Sequence, residues 1–128
     1  MTNTEISDHP TILYVDDSDS NLLLFKELFK KEYNVLLATS AKEGLEVLER
    51  EKVKVVVSDQ SMPVMSGNEF LEVVNEKYPD ILSFILTAYT DYDSLVEAVN
   101  RGKIYGYFNK PIKFEEMKIA INRAIEVS

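Results

Sequence analysis

Residues 53–67 read VKVVVSDQSMPVMSG, a run of valines that ends in an acid and continues into turn-forming residues. An apolar run of this length is typical of a strand that is covered on both faces, as in a parallel sheet. In open α/β sheets, ligands bind beyond the carboxyl ends of the strands, so Asp59 lies where a site would form. Taken alone, Asp59 could equally start a turn or cap a helix. The ends of the other strands have to decide between these interpretations.

Four further apolar segments are predicted to be strands, and three of them also run into distinctive polar groups. These three are residues 11–15 before Asp16-Asp17, residues 81–86 before Thr87, and residues 104–108 before Asn109-Lys110-Pro111. The remaining strand covers residues 33–38. A single polar strand end is compatible with a simple turn, whereas the same arrangement at four strands favours a site.

Amphipathic segments with helix-capping residues separate the strands. They span about residues 19–31, a helix opened by Ser40, residues 66–78, about residues 91–101 and about residues 114–126. The sequences that begin at Ser40 and Ser66 both match a capping box, in which serine is followed three residues later by glutamate. Strands that alternate with helices imply parallel pairing through right-handed crossovers, with helices on both faces of the sheet. We therefore predict one doubly wound α/β domain of five strands and five helices.

Composition limits the function classes. A chain of 128 residues fits a single domain, and we expect residues 1–10 to form a flexible tail before a domain at residues 11–127. The absence of cysteine excludes disulfides, thiol nucleophiles and cysteine-ligated metals. No apolar run approaches the roughly 18 residues of a membrane span, so a cytoplasmic protein without membrane contact is expected. A formal charge of −8 argues against direct nucleic acid binding by this domain.

The polar strand ends together outline a phosphoryl-transfer site. If the strands are parallel, their carboxyl ends bring together Asp16, Asp17, Asp59, Thr87 and Lys110. Three neighbouring carboxylates repel one another, and Mg²⁺ is the natural counter-ion because it binds carboxylates and phosphate oxygens. One aspartate can then act as a nucleophile and form an aspartyl-phosphate. Lysine neutralises the remaining oxygens as a point charge, and threonine donates a hydrogen bond to one of them.

In this order, the motifs resemble those of the response-regulator receiver domain of two-component signalling, over essentially all of residues 11–127. The resemblance implies a flavodoxin-like fold with strand order 2-1-3-4-5. It also assigns a role to each matching residue. The roles are Asp59 as phospho-acceptor, Asp16 and Asp17 as Mg²⁺ ligands with Asp59 and the backbone carbonyl of Ser61, Thr87 as switch hydroxyl, Tyr107 as switch aromatic and Lys110 as the conserved-type lysine before Pro111. Met62-Pro63 and Gly67 lie at the family's usual offsets, and the Lys110–Pro111 bond is expected to be cis.

The resemblance further implies partners and an output. A sensor histidine kinase would supply the phosphoryl group from phosphohistidine, and the receiver would catalyse only its own phosphorylation and dephosphorylation. Phosphorylation would repack the fourth predicted helix, the fifth strand and the final helix as a surface for a downstream effector domain or protein, with a phosphorylation-dependent homodimer as one outcome. We expect the output domain to lie outside this chain.

Two local features resemble particular receivers. The sequence Asp-Gln-Ser-Met-Pro at residues 59–63 and the aromatic-rich residues 104–110 resemble regulators with HD-GYP phosphodiesterase or hydrogenase-regulating outputs. Ser61 and Tyr89 occupy positions that flank the path of the hydrolytic water in the family. We hypothesise that Tyr89 shields the phosphate and lengthens its lifetime.

Two other function classes use a related layout. A haloacid-dehalogenase-type phosphatase also has an aspartate nucleophile at a strand end, but its Asp-x-Asp spacing is missing here. A flavodoxin-like mononucleotide binder expects a phosphate loop rich in hydroxyls and glycine after the first strand, where this chain has Asp16 and Asp17. Turnover of a phosphate ester would favour the phosphatase, and co-purified flavin would favour the nucleotide binder.

Overall fold

A computed structural model describes residues 9–88 and 104–128 and, between these ranges, only Asp93, Val96 and Asn100. Five parallel strands form one sheet in the order β2-β1-β3-β4-β5, which confirms the predicted fold class and strand order. The strands are β1 (Thr11–Val15), β2 (Asn34–Ala38), β3 (Val55–Asp59), β4 (Leu82–Thr87) and β5 (Gly106–Asn109).

Four helices connect or follow these strands in the described part of the chain. They are α1 (Asp19–Phe29), α2 (Ala41–Arg50), α3 (Gly67–Lys77) and α4 (Phe114–Val127). None of them is long and apolar enough to cross a membrane. The capping box at Ser66 is complete, whereas the one predicted at Ser40 is half formed. There, Ser40 Oγ accepts a hydrogen bond from the Glu43 amide, but the Glu43 carboxylate accepts from Thr39 instead.

In the structure, the second and fourth strands begin one residue later than predicted, and the third and fifth begin two residues later. The third strand begins at Val55 rather than Val53, and the fifth begins at Gly106 rather than Ile104, because the ladder of paired residues begins there. Of the predicted helix at residues 91–101, only Asp93, Val96 and Asn100 are described, and these three are helical. The Tyr89 shield and most of the predicted flexible tail lie outside the described residues.

Two apolar cores cover the two faces of the sheet because side chains alternate along each strand. On one face, Ile12 and Tyr14 of β1 pack with residues of α1 and α4. On the other face, Leu13 and Val15 pack with residues of α2 and α3. Both faces of β1 and β3 are therefore filled by apolar side chains, and the polar residues that end these strands lie at the rim.

The register of the sheet aligns the strand ends that the sequence analysis singled out. Val15 lies opposite Ser58, Asp59 opposite Leu86, and Thr87 opposite Asn109. We call the resulting group, Asp16, Asp17, Asp59, Thr87 and Lys110, the carboxyl edge. Parallel pairing thus brings residues that are far apart in sequence to one side of the domain.

Candidate functional site at the carboxyl edge

Asp59 ends β3 and is 3% exposed. The loop after Asp59 is hydrogen-bonded to β4 and to α3. The Gln60 amide donates to the Leu86 carbonyl over 3.0 Å, and the Gln60 side-chain oxygen accepts from the Asn68 amide at 2.8 Å in the first turn of α3. The Asp59 backbone is therefore fixed relative to β4 and to the start of α3.

Gly67 allows α3 to begin directly against this loop. Its amide donates to the Gln60 carbonyl over 3.0 Å. A Cβ atom at this position would overlap the carbonyl oxygen of Asp59 and would lie 2.8 Å from Ile85 Cδ1. Glycine is required here because the helix approaches the backbone of Asp59 too closely for any side chain.

Asp16, Asp17 and Asp59 form an acidic cluster at the ends of β1 and β3. One carboxylate oxygen from each lies within 4.8 Å of those of the other two. Asp16 and Asp59 are buried, and Asp17 is exposed. The donor set consists of carboxylate oxygens, which hard divalent cations such as Mg²⁺ prefer, and one open side faces solvent, as needed for retained waters. The residues present therefore fit such a cation.

Asp16 is held by three hydrogen-bond donors. The Tyr14 hydroxyl donates to Asp16 Oδ2 over 2.6 Å, and Asn21 Nδ2 donates to the same oxygen over 3.1 Å. The Ser18 amide donates to Oδ1 over 2.9 Å. Burial, followed by the hydrogen bond to Asp16, raises the pKa of Tyr14 well above its ordinary value, so the hydroxyl stays protonated and acts as a donor.

Sequence analysis missed both Tyr14 and Asn21. Tyr14 stands in an apolar strand and resembles any other core aromatic, and Asn21 lies in the first turn of α1. The available signal was the hydroxyl of a tyrosine two residues before an acid, because residues two apart in a strand project from the same face.

Lys110 supplies the positive charge of the site. Its Nζ lies 2.7 Å from Asp59 Oδ1, and its side chain is 33% exposed while that of Asp59 is 4% exposed. The short distance makes this contact an ion pair between the lysine and the buried carboxylate. The Lys110 amide donates to the Thr87 carbonyl over 2.7 Å, and the Lys110–Pro111 bond is cis, the isomer that the family resemblance implies.

The charges around Asp59 only partly compensate one another. Burial raises the pKa of Asp59, the nearby Lys110 opposes this shift, and the negative charges of Asp16 and Asp17 add to it. The net result is a pKa above the ordinary value of 3.8. Further positive charge near Asp59 would stabilise its ionised form and oppose this shift.

The other predicted site residues occupy different environments. Thr87 is buried at the end of β4, one residue beyond the strand partner of Asp59. Tyr107 is half-buried and packs against the apolar core on the side of α2 and α3. Ser61 is exposed in the loop after Gln60. The roles assigned to these three residues stay predictions.

Known proteins are similar to this chain over most of its length. The family model for the response regulator receiver domain matches residues 12–122. The hydrogenase transcriptional regulatory protein HoxA of Cupriavidus necator is 34% identical over 91% of this chain, and the transcriptional regulatory protein GlrR of Escherichia coli K12 is 34% identical over 96%. This chain spans about a quarter of the length of these relatives, 24% and 28% respectively.

Solved receiver structures have the same fold. The signal receiver domain of an HD domain-containing protein from Pseudomonas fluorescens Pf-5 superposes with a TM-score of 0.85 at 30% identity, covering 92% of this chain and 95% of that one. A response regulator receiver domain protein from Clostridium thermocellum gives a TM-score of 0.85 at 33% identity, covering 91% and 94%. The similar proteins thus include a hydrogenase regulator, one of the two groups that the local sequence features resemble. With the family model matching most of its length, the chain belongs to the response regulator receiver domain family.

Proposed function

We propose that this domain accepts a phosphoryl group on Asp59 from the phosphohistidine of a sensor kinase and changes its partner surface in response. The observation that carries the proposal is the surroundings of Asp59. Its Oδ1 lies 2.7 Å from Lys110 Nζ, and a carboxylate oxygen of Asp59 lies within 4.8 Å of oxygens of Asp16 and Asp17. A buried acid between a lysine and two further acids has the components of a phosphoryl-transfer site.

Asp59 acts as the nucleophile. One of its carboxylate oxygens attacks phosphorus, the bond from phosphorus to the imidazole nitrogen of the donor breaks, and the imidazole takes up a proton from solvent. Lys110 stabilises the negative charge on the transferred group as a point charge. The bonds from Gln60 to β4 and α3 hold the backbone of Asp59 in place, so the acceptor is oriented before the donor arrives.

Asp16, Asp17, Asp59 and the backbone carbonyl of Ser61 would hold Mg²⁺. When bound, this cation neutralises the acidic cluster and accepts phosphate oxygens, so an anionic donor can approach. Before that, Asp16 and Asp59 place two buried carboxylates side by side, and burial raises the pKa of Asp59, with the charge of Asp16 adding to the shift. Hydrolysis of the aspartyl-phosphate by water at the same site would end the signal.

The switch would begin at Thr87. Its hydroxyl moves toward the phosphoryl group, and Tyr107 turns inward behind it. Tyr107 lies on β5. Its rotation would therefore change the surface that β5 forms with α4 and with the predicted helix at residues 91–101. Two packings of the same elements then exchange in population, and the phosphoryl group favours one of them.

The family and its relatives support the proposed partners. A sensor histidine kinase donates the phosphoryl group, and the repacked surface acts on an effector segment or a separate effector protein. HoxA and GlrR are transcriptional regulators about four times as long as this chain, which supports an effector of that kind. The domain itself acts as a signalling switch that catalyses only its own phosphorylation and dephosphorylation.

The proposal is tested by incubating the protein with Mg²⁺ and a small phosphodonor such as acetyl phosphate and measuring intact mass. We expect one added phosphoryl group that is stable in acid and labile in base. Asp59→Asn should abolish the modification, and so should removal of Mg²⁺ with a chelator. Lys110→Ala should slow it by about 10²-fold, the usual loss when one charged stabilising group is removed from a transfer site.

Asp80→Asn provides a matched control, because Asp80 is an exposed acid in the turn before β4. This variant should be phosphorylated at the same rate as the wild-type chain. The proposal would be contradicted if Asp59→Asn still gained a phosphoryl group. It would also be contradicted if the wild-type chain gained none.

A further inference from the structure

The carboxylate of Asp16 accepts more hydrogen bonds than it would need if it contributed only negative charge to the site. Three donors surround its carboxylate, namely the Tyr14 hydroxyl, Asn21 Nδ2 and the Ser18 amide. A carboxylate offers about four lone-pair sites, and the three donors occupy three of them. The remaining lone pair therefore points in a fixed direction. Asp16 is also 1% exposed, so solvent cannot reorganise around it.

The hydroxyl of Tyr14 is the unusual part of this arrangement. The ring of Tyr14 stacks on Phe25 of α1 with centroids 4.1 Å apart and planes 6° apart. A phenylalanine would make the same stack in the same core. The hydroxyl is therefore not needed for the stack, and among the described residues its one hydrogen bond is made to Asp16.

We infer that Tyr14, assisted by Asn21, is a positioning residue that holds Asp16 in the rotamer needed to bind a divalent cation, and so sets the cation affinity of the site. This inference rests on the proposed function, because it assigns a role to Tyr14 in the site where Asp59 is phosphorylated. Donors that bind a liganding carboxylate from behind orient it and reduce the rotational freedom lost when the cation binds. They also delocalise its charge, so that Asp16 can lie beside the buried Asp59.

A purely structural role for the Tyr14 hydroxyl can be separated from this one, because the chain contains a second buried tyrosine with the same kind of bond. Tyr33 is 2% exposed, and its hydroxyl donates to Asn122 Oδ1 over 2.6 Å. Tyr33 directly precedes β2 and lies at the opposite edge of the sheet from the acidic cluster. Tyr33→Phe therefore removes a tyrosine hydrogen bond of the same length, to a neutral acceptor, without touching Asp16.

The experiment measures the affinity for Mg²⁺ alone by isothermal titration calorimetry, together with the thermal stability of the metal-free protein. Tyr14→Phe and Tyr33→Phe should both lower the thermal midpoint, Tyr14→Phe by more because its acceptor is a carboxylate rather than a neutral amide. Only Tyr14→Phe should also weaken Mg²⁺ binding, by about tenfold, the usual loss when a residue that orients a metal ligand is removed. Asn21→Ala should weaken it as well, and this variant serves in place of Tyr14→Phe if the latter does not fold.

Phosphorylation by acetyl phosphate gives a second measurement that a structural role would not change. In Tyr14→Phe, the Mg²⁺ concentration for half-maximal rate should rise with the dissociation constant, while the rate at saturating Mg²⁺ stays near that of the unmodified chain. Equal Mg²⁺ affinity in Tyr14→Phe and the unmodified chain would overturn the inference and leave the proposed function intact. So would an equal loss in Tyr33→Phe. Failure of the unmodified chain to bind Mg²⁺ would overturn the proposed function, and this inference with it.

Discussion

The two ends of the same sheet are built from different chemistry. At the carboxyl edge, two buried carboxylates lie beside each other, with Lys110 as the neighbouring positive charge. At the opposite end, which we call the amino edge, the connections join neutral groups. The Asn34 amide donates to the Pro10 carbonyl, the Lys54 amide to the Thr11 carbonyl, and Asn34 Nδ2 to Thr11 Oγ1 over 3.0 Å.

This contrast separates stability from function. Neutral hydrogen bonds at the amino edge contribute to folding and carry no unresolved charge. The carboxyl edge concentrates like charges that disfavour the folded, metal-free protein, and it gains stability only when positive charge binds. Substitutions at the amino edge should therefore only weaken the fold, whereas substitutions at the carboxyl edge can strengthen it and abolish phosphorylation at the same time.

The largest effect is expected where a side chain would enter the carboxyl edge itself. Gly67→Ala should lower the free energy of unfolding by about 3 kcal/mol, because the new Cβ would overlap the Asp59 carbonyl and backbone cannot move aside as a side chain can. The same shift of the Asp59 backbone should slow phosphorylation. Urea denaturation and intact mass measure the two effects.

Gly106→Ala is the matched control near the amino end of β5. A Cβ at Gly106 would lie 3.4 Å from the Phe84 ring, an ordinary van der Waals distance. We expect its stability to stay within about 0.5 kcal/mol of that of the unmodified chain. Equal losses in the two variants would show that close approach at Asp59 is not what Gly67 provides.

A smaller effect of opposite sign is expected for Asp59→Asn in the absence of metal. Removing the acceptor's charge should raise the free energy of unfolding by about 1 to 3 kcal/mol, the usual cost of burying an incompletely compensated polar group. Lys110 loses its partner in this variant, but it is one-third exposed and can be solvated. A chelator-treated sample unfolded in urea gives the measurement.

The pH dependence identifies the charge as the cause. The pKa of Asp59 in the folded protein lies above 3.8, mainly because of burial, so the folded state retains a proton that the unfolded state has lost over the window above 3.8. Stability of the unmodified chain then falls as pH rises through that window, and Asp59→Asn lacks this fall. The advantage of Asp59→Asn should therefore be absent below pH about 3.8 and complete above the folded pKa. An advantage that does not change with pH would contradict this explanation.

The layout of the site could be predicted because parallel pairing leaves little choice. Once Val55–Asp59 and Thr11–Val15 are strands of one parallel sheet, their carboxyl ends lie on the same side of it. The strand order that the family resemblance implies then makes these two strands neighbours and places Asp16 near Asp59, as observed. The sequence also contained the cues for helix starts, such as Ser66 three residues before Glu69. These features depend on backbone periodicity, which a single sequence expresses directly.

What could not be predicted depends on side-chain direction. Tyr14 has the hydrophobicity of a core residue, and only the packed β1–α1 pair brings its hydroxyl to Asp16. The Gln60 side chain reaches the first turn of α3 because Gly67 lets that helix begin close by. At Ser40, the Glu43 side chain binds Thr39 rather than completing the predicted box, a choice between neighbouring donors that the motif does not encode.

The smallest effect is expected at the amino edge. Tyr33→Phe removes the 2.6 Å hydrogen bond to Asn122 and should lower the free energy of unfolding by about 1 kcal/mol. From pH about 5 to about 9 this cost should be constant, because Tyr33 is protonated in both the folded and the unfolded states. Chemical denaturation across that range should give a flat difference, unlike that for Asp59→Asn.

The difference in unfolding free energy between Tyr33→Phe and the wild-type chain should change only at alkaline pH. Burial, followed by the charge of Glu32, raises the pKa of Tyr33 from 10.0 to about 12. Between these values the unfolded state loses the proton and the folded state keeps it, so the stability that Tyr33 contributes falls as pH rises above 10. Tyr33→Phe has no such group, and its deficit relative to the unmodified chain should therefore shrink in this range. A deficit that instead varies between pH about 5 and 9 would contradict this account, because Tyr33 itself does not titrate in that range.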